Sequence, residues 1–350
     1  MFVKKSTLIM LLTLSFSVFP SQKVVIAHRG ASGYLPEHTL EAKAFAYAQG
    51  ADYLEQDVVL TKDNRLVILH DLFLDDVTDV AIKFPGRSRP DGRFYAIDFT
   101  LDEILQLHAT SRFRNINNKP TPIYPNRFPI FTSNFRLHTL EDEIEFIQGL
   151  NKSTKQNRGL FIEIKNPAFH MKEGKDISKS LLSILKEYGY TSKTDNIYIQ
   201  CIDPNELKRI KFSIGPETGV NVKLTQLIAY NKLNAKKNIK DGEKSNHDDN
   251  LTFTPQELAE IAKYADAISP DFQILINKGD GKITVSHLTK YAHKNGLKVI
   301  PFTVSSDALP SYIESVNALY DLMYKVEGVD GLFSDHPDQA IMYLKENNFR

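Results

Sequence analysis

The sequence predicts an α/β protein: a closed (β/α)8 barrel, the TIM-barrel architecture, with a capping segment inserted on its rim. Short β-rich runs alternate with helical patterns along most of the chain, as parallel strands joined by helical crossovers do. Nine strand candidates occur, and one of them reads as the returning arm of a hairpin, which leaves the eight a barrel requires. The residues with chemistry to offer cluster at strand ends, where a parallel barrel gathers its strand C-termini into one mouth.

The first element is a targeting segment. Residues 1–22 open with a basic pair, Lys4 and Lys5, followed by an uncharged, mainly apolar stretch over 7–19. That stretch is too short to span a bilayer and suits a signal peptide. Ser15 and Ser17 are small enough to permit cleavage after Ser17. An uncleaved anchor or a buried helix is the plainer alternative. No cysteine lies nearby to carry a lipid, and no later segment has the length and apolarity of a transmembrane helix. The expectation is an exported protein, periplasmic or secreted, with no stable membrane insertion after signal cleavage.

The domain proper spans 23–350. Strands are expected at 24–28, 53–60, 66–70, 160–165, 196–201, 219–224, 265–269, 297–304 and 329–334. Helical patterns fall at 38–49, 140–150, 177–188, 204–212, 255–264, 285–295, 309–326 and 337–346. Residues 61–65, TKDNR, are too few for a parallel crossover and make a natural hairpin turn. The run 66–70 therefore returns antiparallel to 53–60, bringing His70 opposite Glu55 and Gln56. Residues 72–138, rich in Pro, Tyr, Phe and Arg, read as an ordered insertion rather than a linker. Leaving at the barrel mouth, it has two readings. Phe84, Arg93, Phe94, Tyr95, Tyr124 and Phe128 wall a substrate pocket, or the segment covers apolar barrel surface. The Lys-, Asn- and Asp-rich stretch 231–250 reads as a solvated loop.

Composition narrows the chemistry. With 42% apolar and 25% charged residues the chain is ordinary globular material. Lys+Arg and Asp+Glu number 43 each, so no net charge draws it to nucleic acid or to an anionic membrane. The one cysteine, Cys201, excludes an internal disulfide and a Cys-rich zinc site. Any metal must be held by carboxylate, imidazole, carbonyl or water.

Strand one ends in His28-Arg29-Gly30, strand two carries Glu55-Gln56-Asp57, the hairpin return ends in His70-Asp71, and the next strand carries Glu163-Ile164-Lys165. Alternation along a strand puts Glu55 and Asp57 on one face, and Glu163 and Lys165 on one face. Each alone has a bland reading: solvent-facing carboxylates, a rim salt bridge, a histidine closing a strand. Together they set complementary charges on four strand ends, and buried charge is costly unless paired or metal-bound. Glu55, Asp57 and Glu163 form an all-oxygen set that suits one hard divalent cation, Ca²⁺ or Mg²⁺, and not zinc. Arg29 and Lys165 would leave such a site able to take a phosphate. His28 and His70 are a candidate general base and general acid. The sum describes phosphodiester cleavage.

The segments HRGASGYLPEHT, ADYLEQDVVLTKDNRLVILHD, FIEIKNP and GVDGLFSDHPD together resemble the glycerophosphodiester phosphodiesterases. DGRFYAIDFTLDEI and FRLHTLEDEIEFIQGLN are similar to the bacterial periplasmic type, and the likeness runs over nearly all of 23–347. The resemblance implies a TIM barrel that hydrolyses deacylated phospholipids, such as glycerophosphocholine and glycerophosphoethanolamine, to sn-glycerol 3-phosphate and an alcohol. It implies Ca²⁺ as cofactor, His28 and His70 as the acid/base pair, Glu55, Asp57 and Glu163 as metal ligands, and Arg29 and Lys165 on phosphate. It also implies attack by the glycerol 2-hydroxyl through a cyclic phosphate that water opens. Phe302, in PFTV, stands where the family has an aromatic near the mouth; it shapes the pocket or packs the core. Two other functions compete: a phosphodiesterase acting on lysophospholipids, and a surface-binding protein on the same fold.

Overall fold

The computed structural model describes residues 22–117, 119–229, 254–279 and 282–350. The N-terminal targeting segment and the 231–250 stretch lie outside these residues. Eight strands run parallel: β1 (Val24–Ala27), β2 (Tyr53–Leu60), β3 (Gly159–Ile164), β4 (Ile197–Cys201), β5 (Lys223–Ile228), β6 (Ala267–Pro270), β7 (Lys298–Val299) and β8 (Gly331–Ser334). Each pairs with its neighbours in chain order from β1 to β7, and β1 also pairs with β8. Backbone bonds from Asp330 N–H to Val299, Phe333 N–H to Pro301 and Val304 N–H to Phe333 carry the seam between β8 and the chain that continues β7.

The two-residue alternation of each strand divides its side chains between two layers. In β3, Leu160, Ile162 and Ile164 face outward into the large cluster shared with the helices, while Phe161 faces the barrel axis. Ile26, Phe161, Tyr198, Ala267, Ile300 and Phe333 pack together inside the barrel. Further along β2 and β3 the inward positions change from apolar to Glu55, Asp57 and Glu163. The interior is thus plugged at the strand starts and charged at the strand ends.

The hairpin forms as its sequence requires. Asn64 takes a left-handed φ of 62° in the turn, and Thr61 Oγ1 both donates to Asp63 (2.6 Å) and accepts from Arg65 N–H (2.9 Å). The return strand, Leu66–Ile68, pairs antiparallel with β2 in the register Val58↔Ile68. Leu69 N–H then reaches the Asp57 carbonyl at 3.0 Å, which brings His70 level with Gln56.

Helix starts follow capping chemistry. Thr39 caps the helix Leu40–Gln49, so that helix begins two residues later than the apolar pattern suggests. Thr139 and Asp142 form a reciprocal capping box on Leu140–Thr154. Other elements differ from expectation: the strand expected over 297–304 is confined to Lys298–Val299, the helix expected over 285–295 starts at Leu288, and two further boundaries move for identifiable reasons. β5 lies at Lys223–Ile228 rather than 219–224, because Gly219, at φ 78°, terminates a short helix, Gly215–Thr218. The helix expected over 309–326 starts only at Val316, after Pro310, and runs on as a wide turn, Asp321–Glu327. Among the described residues no helix is long and apolar enough to cross a membrane.

The insertion is ordered around a core of its own. Leu74, Val77, Val80, Phe94, Phe99 and Ile104 pack against Val59, Val67 and Leu69 of the β2 hairpin. This arrangement redistributes the six residues proposed as pocket walls. Phe94 is buried in that core, Phe84 packs on Phe99 and Phe128 on Phe135. Arg93 pairs with Asp75 and Asp76, and Tyr95 stacks on Phe169 of the barrel helix Pro167–Lys172. Only Tyr124 lines a cleft with Arg112 and Arg127 at the mouth. Most of the insertion therefore covers apolar hairpin surface. Replacing residues 80–130 by a short linker is expected to expose Val59, Val67 and Leu69 and to yield an aggregating protein, measured by light scattering after refolding. Phe99→Ala alone should cost about 3–5 kcal/mol of stability in a denaturant titration.

Candidate active site

Strand register brings the predicted residues together. Asp57 of β2 stands opposite Glu163 of β3, so Glu55, Asp57, Glu163 and Lys165 share one patch of the barrel interior. All four side chains are buried. Lys165 Nζ lies 2.7 Å from Glu163 Oε1 and 3.6 Å from Asp57 Oδ1. After β1 the chain turns through Arg29 (φ 57°) and Gly30 (φ 85°), which aims the Arg29 N–H at Glu55 Oε2, 2.6 Å away. Any Cβ at Gly30 would meet the backbone of Ala42 at 2.8 Å, so this turn needs glycine twice over. The Arg29 side chain bonds Glu37 (2.9 Å) and faces Asp57 (3.7 Å).

The histidines form two matching pairs. His28 Nδ1 lies 2.7 Å from Asp335 Oδ1, and His70 Nδ1 lies 2.8 Å from Asp71 Oδ1. Asp335 also accepts from Arg127, Ser305 and Ser32, and Asp71 from Arg112. Burial, then the nearby Arg29, hold both histidines below their usual pKa, with Lys165 helping to push His70 down to about 4. His70 therefore favours its neutral form near pH 7, and His28 is shifted in the same direction.

The acids show the complementary strain. Burial and Asp57 raise the Glu55 carboxyl well above the usual range, despite Lys43 and Arg29. Burial and Asp57 also raise Glu163, to about 7, against the pull of Lys165. Asp57 overcomes its burial because Lys165, His70 and His38 favour its charged form, and it stays well below the usual range. Its Oδ1 is nonetheless buried without a hydrogen-bond partner. Ligand atoms of Glu55, Asp57 and His38 lie within 4.8 Å of one another, a group that has His38 where the sequence reading placed Glu163. A buried oxygen-rich cluster with an orphaned acceptor and too little positive charge is a fitting environment for a hard divalent cation.

His38 was not foreseen. It sits within the LPEHT segment, takes a left-handed φ of 61°, and its Nε2 is 2.7 Å from Asp57 Oδ2. Burial keeps it neutral, with a pKa lowered to about 3. Asp335, Glu37, Arg112 and Arg127 were also missed. Asp335 stood in the GVDGLFSDHPD segment, but nothing local marks the two arginines, which reach the site from the insertion. Phe302 is half-buried behind β7, its ring 6.4 Å from Phe333 at 83°, on the apolar cluster inside the barrel.

Beneath the site, Lys43 is fully buried, bonded to the Glu55 backbone carbonyl and to Glu143 Oε1 at 2.7 Å. His138 Nε2 meets Glu143 Oε2 at 2.8 Å. This network ties the helices Leu40–Gln49 and Leu140–Thr154 to β2 at Glu55.

The glycerophosphoryl diester phosphodiesterase family matches residues 28–339. A glycerophosphodiester phosphodiesterase of Haemophilus influenzae is 51% identical over 330 residues, covering 93% of this chain and 90% of that protein. A crystal structure from Silicibacter pomeroyi has the same fold, with a TM-score of 0.67, 22% identity, and coverage of 94% of this chain and 95% of that one. An Oleispira antarctica phosphodiesterase, solved in complex with the product sn-glycerol-3-phosphate, aligns with a TM-score of 0.57 and 21% identity over 93% of this chain and 97% of that one. The chain belongs to the glycerophosphoryl diester phosphodiesterase family and is an enzyme of that class.

Removing Lys43 would strand a buried carboxylate. Lys43→Ala is expected to destabilise the fold by about 3–5 kcal/mol in chemical denaturation. Burial opposes the charge on Glu143, but Lys43 and His138 bring its pKa down to about 2 from an ordinary 4.5. A depressed folded-state value gives stability that is complete above pH 4.5 and lost as the pH falls towards 2. The wild type should lose that share over this window, and Lys43→Ala much less of it.

Proposed function

We propose that this enzyme hydrolyses small, water-soluble glycerophosphodiesters to sn-glycerol 3-phosphate and an alcohol, using one divalent cation and two histidines. The observation that carries this is the meeting of a buried, cation-deficient carboxylate cluster with two His–Asp pairs and two phosphate-seeking cations at one barrel mouth. The glycerol 3-phosphate bound in the Oleispira antarctica phosphodiesterase supports the substrate class.

Glu55, Asp57 and Glu163 would hold the cation, with His38 orienting Asp57 or joining the ligand set. A cation there would lower the pKa of a bound hydroxyl and offset phosphate charge. Ca²⁺ is preferred to Mg²⁺ on the family resemblance and on export, which the basic and apolar N-terminal segment supports.

Arg29 and Lys165 would grip the non-bridging phosphate oxygens and stabilise charge as it builds on them. One histidine would take the proton of the attacking glycerol 2-hydroxyl through Nε2 while the other gives a proton to the departing alcohol. The roles would reverse when water opens the cyclic phosphate. Asp71 and Asp335, each on an Nδ1, would fix that orientation. In the free enzyme the neutral form of both histidines is favoured, so the one that acts as acid must gain a proton. Arg29 and Lys165 help to depress them, and a bound phosphate offsets those charges. Substrate therefore creates the acid that it needs. Phe302 would close the apolar floor under the glycerol.

Incubation with glycerophosphocholine should release sn-glycerol 3-phosphate, measured by a coupled dehydrogenase assay; turnover confined to lysophospholipid would favour the lipid-directed reading. Ala at Glu55, Asp57 or Glu163 should abolish most activity, and chelator should do so reversibly with Ca²⁺ or Mg²⁺. Full turnover in a metal-stripped sample would sink the cation assignment.

Ala or Asn at His28 or His70 should lower kcat and kcat/KM together by about 10²–10⁴-fold. The pH profiles carry a sharper signal. The histidine limb should lie at higher pH in kcat, which reports the substrate complex, than in kcat/KM, which reports the free enzyme. Coincident limbs would contradict protonation by substrate.

A further inference from the structure

We infer that the insertion is part of the catalytic machinery: its Arg112 and Arg127 are positioning residues that hold the aspartates behind the two histidines. This rests on the two-histidine mechanism above and adds to it a function for residues outside the barrel.

Both aspartates accept from a histidine on one oxygen and from an arginine on the other, and Asp335 accepts in addition from Ser32 Oγ on Oδ1 (3.1 Å) and Ser305 Oγ on Oδ2 (2.8 Å). Asp71 gives Oδ1 to His70 and Oδ2 to Arg112 Nη1, at 2.5 Å. Asp335 gives Oδ1 to His28 and Oδ2 to Arg127 Nη2, at 2.7 Å. An aspartate held by a histidine alone can rotate or take up a proton, and either would release the ring from the tautomer that leaves Nε2 free for chemistry. A guanidinium on the far oxygen blocks both. The two arginines come from distant points of the chain, 41 residues from Asp71 and 208 from Asp335, so local folding does not place them.

Each arginine is itself held. Arg112 forks onto Glu37, through Nε at 3.0 Å and Nη2 at 2.7 Å, and Glu37 in turn takes Arg29 at 2.9 Å. His70, Asp71, Arg112, Glu37 and Arg29 thus form one connected unit, from the acid/base group to the phosphate contact. Arg127 is clamped by Asp307 at 2.8 and 2.9 Å and by Ser305 Oγ at 2.6 Å. Its guanidinium also lies 3.8 Å from the Tyr124 ring centroid. Both arginine side chains are largely buried, at 15% and 9% exposure, where such pairs are specific and poorly replaced by lysine.

The plainer account is that these arginines only pin the insertion to the barrel. Arg89 supplies the comparison. It bonds Asp98 within the insertion and Glu173 beyond β3, bridging the same two bodies without touching a histidine pair.

The test uses the full-length enzyme at saturating Ca²⁺ with glycerophosphocholine. Arg127→Gln is expected to lower kcat by about 10–100-fold with KM little changed, and Arg112→Gln to lower kcat as far with a smaller rise in KM, because Glu37 also holds Arg29. Arg89→Gln should keep the wild-type kcat. On an Asp71→Asn background Arg112→Gln should add little, and on Asp335→Asn the same holds for Arg127→Gln, because each pair acts as one unit. If the Gln variants fail to fold, Arg112→Lys and Arg127→Lys carry the test, with a kcat between wild type and the Asn variants expected. Wild-type kcat in the arginine variants, an equal fall in Arg89→Gln, or fully multiplicative double losses would overturn the inference. Undiminished kcat in His28→Asn and His70→Asn would instead overturn the two-histidine mechanism, which separates the two failures.

Discussion

Three carboxylates crowd the inner face of two neighbouring strands, and the mouth of the barrel is arranged around their charge. Asp57 and Glu163 are opposed by register, and Glu55 is two residues from Asp57 on the same face. Without compensation, burial would force protons onto all three. The surroundings answer with cations from several directions: Lys165 from the next strand, the N–H and guanidinium of Arg29 from the β1 turn, and Lys43 from below. Even so, Glu55 and Glu163 keep raised pKa values. That residual shortage of positive charge is one that a bound dication would relieve.

The rest of the molecule buries this cluster and ties it to its surroundings. Ile26, Phe161 and Phe333 pack together across the barrel interior below it. Outside, the Lys43–Glu143–His138 network fastens two helices to the strand that carries Glu55 and Asp57. Such a network adds little net stability, but losing one member is costly because the remaining charge cannot reach water. These ties serve geometry, since a small substrate offers little area to bury and must be held by placed polar contacts.

The insertion has two layers of purpose. Most of its apolar residues cover the β2 hairpin, a structural debt created by the return strand itself. Its polar edge reaches inward, so that residues from outside the barrel complete the His–Asp pairs. The chain that shields the hairpin thus also supplies the arginines bonded to Asp71 and Asp335, the partners of the two imidazoles.

Much of this was legible in the sequence because it is carried by short-range rules. Alternation along β2 and β3 placed Glu55, Asp57, Glu163 and Lys165 on shared faces, and a five-residue turn too short for a crossover placed His70 beside them. Errors there were local ones, such as the position of β5, where a terminating glycine moved a boundary. The residues behind the first contacts were not legible. His38 depends on a left-handed turn that carries it back over Asp57, and Arg127 reaches Asp335 across 208 residues. A strand's period is written in consecutive residues, whereas the meeting of a loop arginine with a distant aspartate exists only once the barrel has closed and the insertion has folded onto it.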